Sequence, residues 1–387
     1  VPENDSREHH ASRAEPMIRL ENLTKSYPGQ SEPAVRELTL DVPAGEIVVF
    51  VGPSGCGKTT TMKLVNRLIE PTSGRIHLDG TDVTEVNPDL LRRKIGYTIQ
   101  QTGLFPHRTV ADNIATVPKM LGWKSRRISE RVDELLRLVG LDPALYRDRY
   151  PKQLSGGQQQ RIGVARALGA DPDVMLMDEP FGAIDPLNRE SLQNEFLRIQ
   201  ADLRKTIVFV THDVDEAIKM GDRIAVFRQG GEVVQYDTPE RILAEPADEF
   251  VREFLGSGTS VKRLSLTPLS AVDVPRWSTV SEGDVDSGEV AAAPGEFRLV
   301  LDGDDKPAGW LSACPDGGPG EIVPLISLLG PDDTLFDALD QMLSLNSSAA
   351  TVVDADGRYR GVLDLDTIRS AINVEPRSAP VETLQEV

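Results

Sequence analysis

A chain of 387 residues, 39% hydrophobic and 27% charged, has room for two or three domains of ordinary soluble composition. Its formal net charge of −19 argues against nucleic acid as the main partner, and no apolar run approaches the length of a membrane span. The two cysteines, Cys56 and Cys314, offer no disulfide framework, which suits a reducing cytoplasm.

The first sixteen residues, VPENDSREHHASRAEP, are polar and lack the apolar stretch of a secretory signal, so 1–16 reads as a flexible tail with His9 and His10 solvated. Met17 to Leu23 and Leu38 to Val42 read as short strands. Ile47 to Val51 is a continuous apolar run, as a strand buried on both faces should be. It leads into Gly52-Pro53-Ser54-Gly55-Cys56-Gly57-Lys58-Thr59-Thr60, and Met62, Val65, Leu68 and Ile69 then recur at helical spacing. Strand, glycine loop and helix together make a phosphate-binding loop. Glycines let backbone N–H groups turn inward around phosphate oxygens, and the helix N-terminus adds partial positive charge. Lys58 is expected to reach the outer phosphates of a nucleotide and the Thr59 hydroxyl to hold Mg²⁺. Cys56 reads as a small packed residue of the loop.

Arg75 to Leu78 reads as a further strand, with His77 an ordinary strand residue. Residues 89–100 run through Ile95 to Gln100 into the loop Gln101-Thr102-Gly103-Leu104-Phe105-Pro106-His107. From about 109 to 168 the pattern is mainly helical, with Ile128, Val132, Leu135, Leu136 and Val139 forming an apolar stripe. Inside it, Leu154-Ser155-Gly156-Gly157-Gln158 opens a helix and makes a second anion site from backbone N–H groups, the Ser155 hydroxyl and the helix dipole. Val174 to Met177 is a buried strand ending in Asp178-Glu179. Ile207 to Val210 is another, ending in Thr211-His212-Asp213. Three such runs separated by helices imply a mainly parallel sheet, whose ligands lie at the carboxyl ends of the strands. Asp178 is expected to support Mg²⁺ through water, and Glu179 to deprotonate the attacking water.

Gly256-Ser257-Gly258-Thr259-Ser260 marks a boundary. Residues 259–387 hold 9 Lys/Arg against 22 Asp/Glu, a net of −13, so 1–258 carries −6. Phe297 to Leu311 aligns with Ala349 to Leu363 at an offset of 52, with Asp302 on Asp354 and Gly309 on Gly361. Each copy reads as strand, acidic turn, strand. The second has helical patterns on both sides; the first follows Ser/Gly/Asp-rich sequence with poor helical pattern.

The ordered motifs make residues 17–256 resemble the nucleotide-binding subunit of an ABC transporter, with LSGGQ at Leu154 to Gln158 the most specific of them. Within that family the stretches GPSGCGKTTTMKLVNRLIEPTSG, RRKIGYTIQQTGLFPH and LSGGQQQRIGVARAL most resemble the ATPases of importers for glycine betaine, carnitine, choline or proline. DADGRYRGVL is similar to the strand pair of a CBS module. The resemblance implies an α/β fold: an ABC-type P-loop ATPase with a helical subdomain, plus a smaller α+β CBS-like domain. The expected organisation is 1–16 tail, 17–258 ATPase (helical subdomain about 102–168), 259–320 linker and degenerate CBS-like module, 321–375 CBS-like module and 376–387 tail.

It further implies ATP and Mg²⁺ as ligands, with the nucleotide contacted by Gly52 to Thr60 and by Tyr27, which stacks on adenine. Gln100 senses Mg²⁺ and the transport subunit, Asp185 belongs to Ala183-Ile184-Asp185 (Ile where Leu is usual), and His212 contacts the γ-phosphate. Catalysis rests on Glu179, His212 and Lys58; Thr59, Gln100 and Asp178 serve the metal. Two copies are expected to pack head to tail, so that Ser155, Gly156, Gly157 and Gln158 of one close over the nucleotide of the other. Phe105, Pro106 and His107 are candidates for the groove that receives a permease helix. Membrane permease subunits and, indirectly, a solute-binding protein complete the partners, which places the chain peripherally at the cytoplasmic face of the membrane. A soluble ABC ATPase of repair or translation is the alternative; such proteins usually have two cassettes or a long coiled insertion, and neither is present.

Overall fold

The computed structural model describes residues 15–98, 103–182, 184, 186–286, 297–312, 321–325 and 327–371. Gln100, Ala183, Asp185, Cys314, most of the 1–16 tail and the 376–387 tail lie outside them. The chain divides into two compact units, one ending at Gly256 and the other starting at Ser257.

Among the described residues the first unit carries ten strands: β1 (Ile18–Lys25), β2 (Val35–Val42), β3 (Ile47–Val51), β4 (Ser73–Leu78), β5 (Thr81–Asp82), β6 (Ile95–Thr98), β7 (Val174–Asp178), β8 (Thr206–Val210), β9 (Arg223–Arg228) and β10 (Glu232–Asp237). The central sheet runs β10-β9-β3-β8-β7-β6, parallel throughout except for the β9–β10 pair. Every residue of β3 and β8 is buried, because the sheet is covered on both faces. The runs Ile47–Val51, Val174–Asp178 and Ile207–Val210 are therefore neighbours, with Ile47 paired to Ile207 and Met177 to Phe209. A second sheet, β2-β1-β4-β5, is antiparallel, and its alternating pattern buries one face. Leu20, Leu40 and Ile76 from that face share one core with Val48, Phe50, Leu176 and Phe227. Among the elements that went unread in the sequence are β9, which lies directly beside β3, and β10 after it.

Helices Val110–Ile114, Thr116–Met120, Ser125–Leu138, Pro143–Tyr146 and Gly156–Ala167 fill the expected helical stretch. The apolar stripe faces inward: Val132, Leu135, Leu136 and Val139 are buried and Ile128 half-buried.

The second unit contains the sheet β11 (Thr279–Ser281), β12 (Phe297–Leu301), β13 (Pro307–Ser312) and β14 (Glu321–Pro324), in that order, and the hairpin β15 (Ala349–Val353) and β16 (Tyr359–Asp364). The 52-residue repeat is exact in register. Arg298 pairs with Leu311 as Ala350 pairs with Leu363, Val300 with Gly309 as Val352 with Gly361, and the same irregularity follows in each. The acidic turns repeat too. Asp302 Oδ1 accepts the N–H groups of Asp304 (2.8 Å) and Lys306 (2.9 Å); Asp354 Oδ1 accepts those of Asp356 (2.9 Å) and Arg358 (2.8 Å). These carboxylates fasten the turn backbone. Before β15 stands a ten-residue helix, Leu335–Ser344; before β12 stands the five-residue Glu282–Asp286.

Candidate functional site

The phosphate loop leaves β3 at Gly52, whose φ is +153°, and continues through Gly55 at +80° and Gly57 at +111°. A Cβ on Gly52 would lie 2.3 Å from the Phe227 carbonyl oxygen, and one on Gly57 2.5 Å from that of Ala34. These two are glycine because neighbouring backbone presses against them. Gly55 meets nothing within 4 Å, so its side of the loop is open. Gly57→Ala combines an unfavourable φ with a backbone clash. It is expected to destabilise the protein by more than about 1 kcal/mol and to abolish nucleotide binding, checked by thermal unfolding and ATP titration.

Lys58 opens the helix Lys58–Val65 and is only 6% exposed. Its Nζ donates to the carbonyls of Gly52 (2.7 Å) and Pro53 (2.9 Å), so the ammonium lies inside the loop. Cys56 is fully buried; its Sγ is 3.5 Å from Lys58 Nζ and its carbonyl accepts the Gly231 N–H, which suits a packing residue. The Thr59 hydroxyl donates to Asp178 Oδ1 at 3.0 Å. Burial pushes the Asp178 carboxyl above the usual range; the Thr59 hydrogen bond, Lys63 and Lys58 oppose that, and the Glu179 charge adds to it. A partly buried carboxylate held beside a threonine hydroxyl is a donor set that fits a hard divalent cation such as Mg²⁺.

At the end of β7 the chain turns sharply. Glu179 sits at φ +44°, uncommon for a residue with a side chain, and its N–H donates to the Val210 carbonyl at 2.9 Å. That turn aims Glu179 Oε1 to within 3.1 Å of His212 Nδ1 at the end of β8. The Thr211 N–H donates to the Phe50 carbonyl at 3.1 Å, which ties the end of β8 to β3. Lys58, Thr59, Asp178, Glu179 and His212 thus gather at the carboxyl ends of β3, β7 and β8.

Ser155 is elsewhere. It caps Gly156–Ala167 reciprocally: Ser155 Oγ accepts the Gln158 N–H (3.3 Å), and Gln158 Oε1 accepts the Ser155 N–H (3.0 Å). Gln158 Nε2 also donates to the Tyr146 hydroxyl at 3.1 Å. Among the described residues, no hydrogen bond or ion pair joins Leu154 to Gln158 to the phosphate loop. A Cβ on Gly156 would meet nothing within 4 Å, so this helix start is open. Tyr27 is half-buried, with Lys25 Nζ 5.2 Å from its ring centre.

The Phe105-Pro106-His107 loop is fastened to its own helical region. The fully buried Asn113 accepts the Phe105 N–H at 2.7 Å and donates to the carbonyls of Phe105, Arg108 and Thr109. Phe105 nevertheless stays 38% exposed under the Arg108 guanidinium. The sequence reading missed Arg189, Gln193 and Glu216, which surround the histidine segment; on ordinary amphipathic helices they carry no motif, and only their contacts mark them out.

Residues 35–182 match the family described as ABC transporter, and residues 326–374 that described as CBS domain. The osmoprotectant import ATP-binding protein OsmV of Salmonella typhimurium is 46% identical over 390 residues, 94% of this chain and 100% of the relative. The glycine betaine/carnitine/choline transport ATP-binding protein OpuCA of Bacillus subtilis is 59% identical over 240 residues, 62% of each chain. Among solved structures, the dimeric post-hydrolysis state of the ATP-binding cassette MJ0796 bound to ADP and Pi is 33% identical, with a TM-score of 0.51, over 58% of this chain and 99% of that one. With 46% identity to OsmV over 94% of this chain joined to this arrangement of loop, carboxylates and histidine, the chain belongs to the ABC transporter ATP-binding proteins of the osmoprotectant import type and is an ABC-type ATPase.

Proposed function

We propose that this ATPase energises uptake of a compatible solute such as glycine betaine, carnitine, choline or proline. The observation that carries the reading is the convergence of Lys58, Thr59, Asp178, Glu179 and His212 at three strand ends, with the open Ser155 helix start not bonded to the phosphate loop among the described residues. On this reading Lys58 leaves the Gly52 and Pro53 carbonyls for the outer phosphates of ATP. Thr59 and, through water, Asp178 would hold Mg²⁺, and the ion would supply neutralisation of phosphate charge. Gln100 serves the same ion. Glu179 takes a proton from the attacking water as its oxygen bonds to the γ-phosphorus, and the bridging bond breaks to release ADP. His212 holds the Glu179 carboxylate and the transferred phosphoryl group. Tyr27 stacks on the adenine. Ser155, Gly156, Gly157 and Gln158 of a second copy close the site beside Asp185, so ATP joins two copies and hydrolysis separates them.

No helix among the described residues is long and apolar enough to cross a membrane. Because the relatives are ATP-binding proteins of import and transport systems, we place the protein peripherally at the cytoplasmic face, held by permease subunits that receive Phe105, with a solute-binding protein acting through them. The exposed Phe105 beside the Arg108 charge supports that docking surface. Repair or translation as the alternative role is not favoured, because the relatives are import and transport proteins. Copurification of permease subunits, followed by uptake assays with the four solutes, tests the reading; uptake unchanged when the gene is deleted would sink it.

The C-terminal residues 259–387, with their acidic turns and CBS match, are proposed to regulate rather than to catalyse. Removing them is expected to leave ATP affinity and basal turnover within about twofold while changing the response of turnover to ionic strength or adenosine nucleotides. ATPase assays across a salt series check this, and failure of the truncated protein to bind ATP would contradict it.

A further inference from the structure

The helix Pro186–Leu203 grips the histidine segment with two residues one turn apart, Arg189 and Gln193. Arg189 Nη2 donates to the Ile184 carbonyl at 3.2 Å, and its Nη1 faces Asp213 Oδ2 at 4.0 Å. Asp213 uses its other oxygen, Oδ1, to cap the helix Val214–Met220, accepting from the N–H groups of Asp215 (2.8 Å) and Glu216 (3.2 Å). Gln193 Nε2 donates to Glu216 Oε1 at 3.1 Å, and the Thr211 hydroxyl bonds to the same carboxylate while accepting the Asp213 N–H at 3.1 Å. Thr211, Gln193 and Glu216 are 1%, 6% and 8% exposed. His212 is thus held on both sides: Thr211 by a buried polar cluster, Asp213 by an arginine that also grips the backbone just after Glu179.

A purely structural role accounts poorly for this arrangement. The helix cap needs only Asp213 Oδ1, and a buried carboxylate such as Glu216 is costly where an apolar side chain would pack as well. Burial indeed raises the Glu216 carboxyl above its ordinary range, against the Thr211 and Gln193 hydrogen bonds. What the network adds is a connection. Among the described residues it ties the histidine segment to helix Pro186–Leu203 and, through Arg189, to the backbone at Ile184, in the stretch that on the proposed head-to-tail reading borders the second copy.

We propose that Arg189 is a positioning residue for hydrolysis: by bridging the Ile184 carbonyl and Asp213 it sets the place of His212 against Glu179, and the Gln193–Glu216–Thr211 cluster is the fixed point about which that adjustment is made. The inference rests on the role given to His212 above. Its test is a cycle in the full-length protein: Arg189→Ala, Asp213→Asn, which keeps the cap but removes the charge, and the double variant. Each single change is expected to lower kcat about tenfold with KM for ATP within about threefold, and the double to be no worse than either. The ring resonance of His212, assigned by its loss in His212→Ala, should move in both single variants. Should Arg189→Ala fail to fold, Arg189→Gln replaces it in the cycle. Losses that multiply in the double variant, or an unmoved His212 resonance, overturn the proposal while the His212 role stands. A His212→Ala protein with wild-type kcat overturns both.

Discussion

Replacing Glu179 by Gln is expected to lower kcat about 10²–10⁴-fold while ATP still binds, the range that a positioned general base contributes. The two side chains have the same size, so the left-handed turn at φ +44° and the backbone bond to Val210 are kept. The amide oxygen can still lie near His212 Nδ1, 3.1 Å away in the native site. What is lost is the ability to take a proton from water. Lys58, Thr59 and the loop amides are untouched, so affinity for ATP should change little. A second consequence follows from the proposed dimer: with the γ-phosphate never removed, the closed pair has no route to opening and should accumulate on gel filtration in the presence of ATP. Wild-type turnover in this variant would remove Glu179 as the base. Loss of ATP binding would mean that the carboxylate holds the loop rather than acts on water.

How much of this was legible before the structure depends on the physics of each element. β3, β7 and β8 announce themselves because strands buried on both faces are nearly continuous apolar runs. β9 is as central, yet its four buried residues are bracketed by Arg223 and Arg228, which shortens the apolar signal. The order of strands is not a local property. That Glu179, His212 and Lys58 meet follows from β3 lying beside β8 and β8 beside β7, which a general rule for parallel sheets anticipates but no single stretch encodes. The repeat in the second unit was readable because the turn chemistry of Asp302 and Asp354 depends only on residues two and four further on. The Arg189–Asp213 and Gln193–Glu216 contacts were not readable. Their spans of 24 and 23 residues cross from one helix to the next, and each residue alone is indistinguishable from a solvated helix charge or amide.

Ser155 raises a different problem, because no reading of one chain can say what its open helix start binds. A mixing experiment can. Lys58→Ala removes the ammonium that the loop carbonyls now hold, and Ser155→Arg fills the open start of Gly156–Ala167 at the cost of about 1 kcal/mol of helix cap. Each variant alone is expected to be inactive, since every site in either homodimer carries a defect. In a mixed pair the two defects fall on the same site. The phosphate loop of the Ser155→Arg copy is intact and meets the intact Ser155 of the Lys58→Ala copy, so one of the two sites is whole. With random pairing in equal amounts, half the dimers are mixed and each has half its sites, so about a quarter of wild-type turnover should return if the sites act independently. If each chain closed its own site, mixing would restore nothing, because neither copy holds both Lys58 and Ser155. Turnover in the mixture that stays at the level of the separate variants, with both proteins shown to be folded by thermal unfolding, would therefore remove the head-to-tail arrangement and leave Ser155 a structural cap.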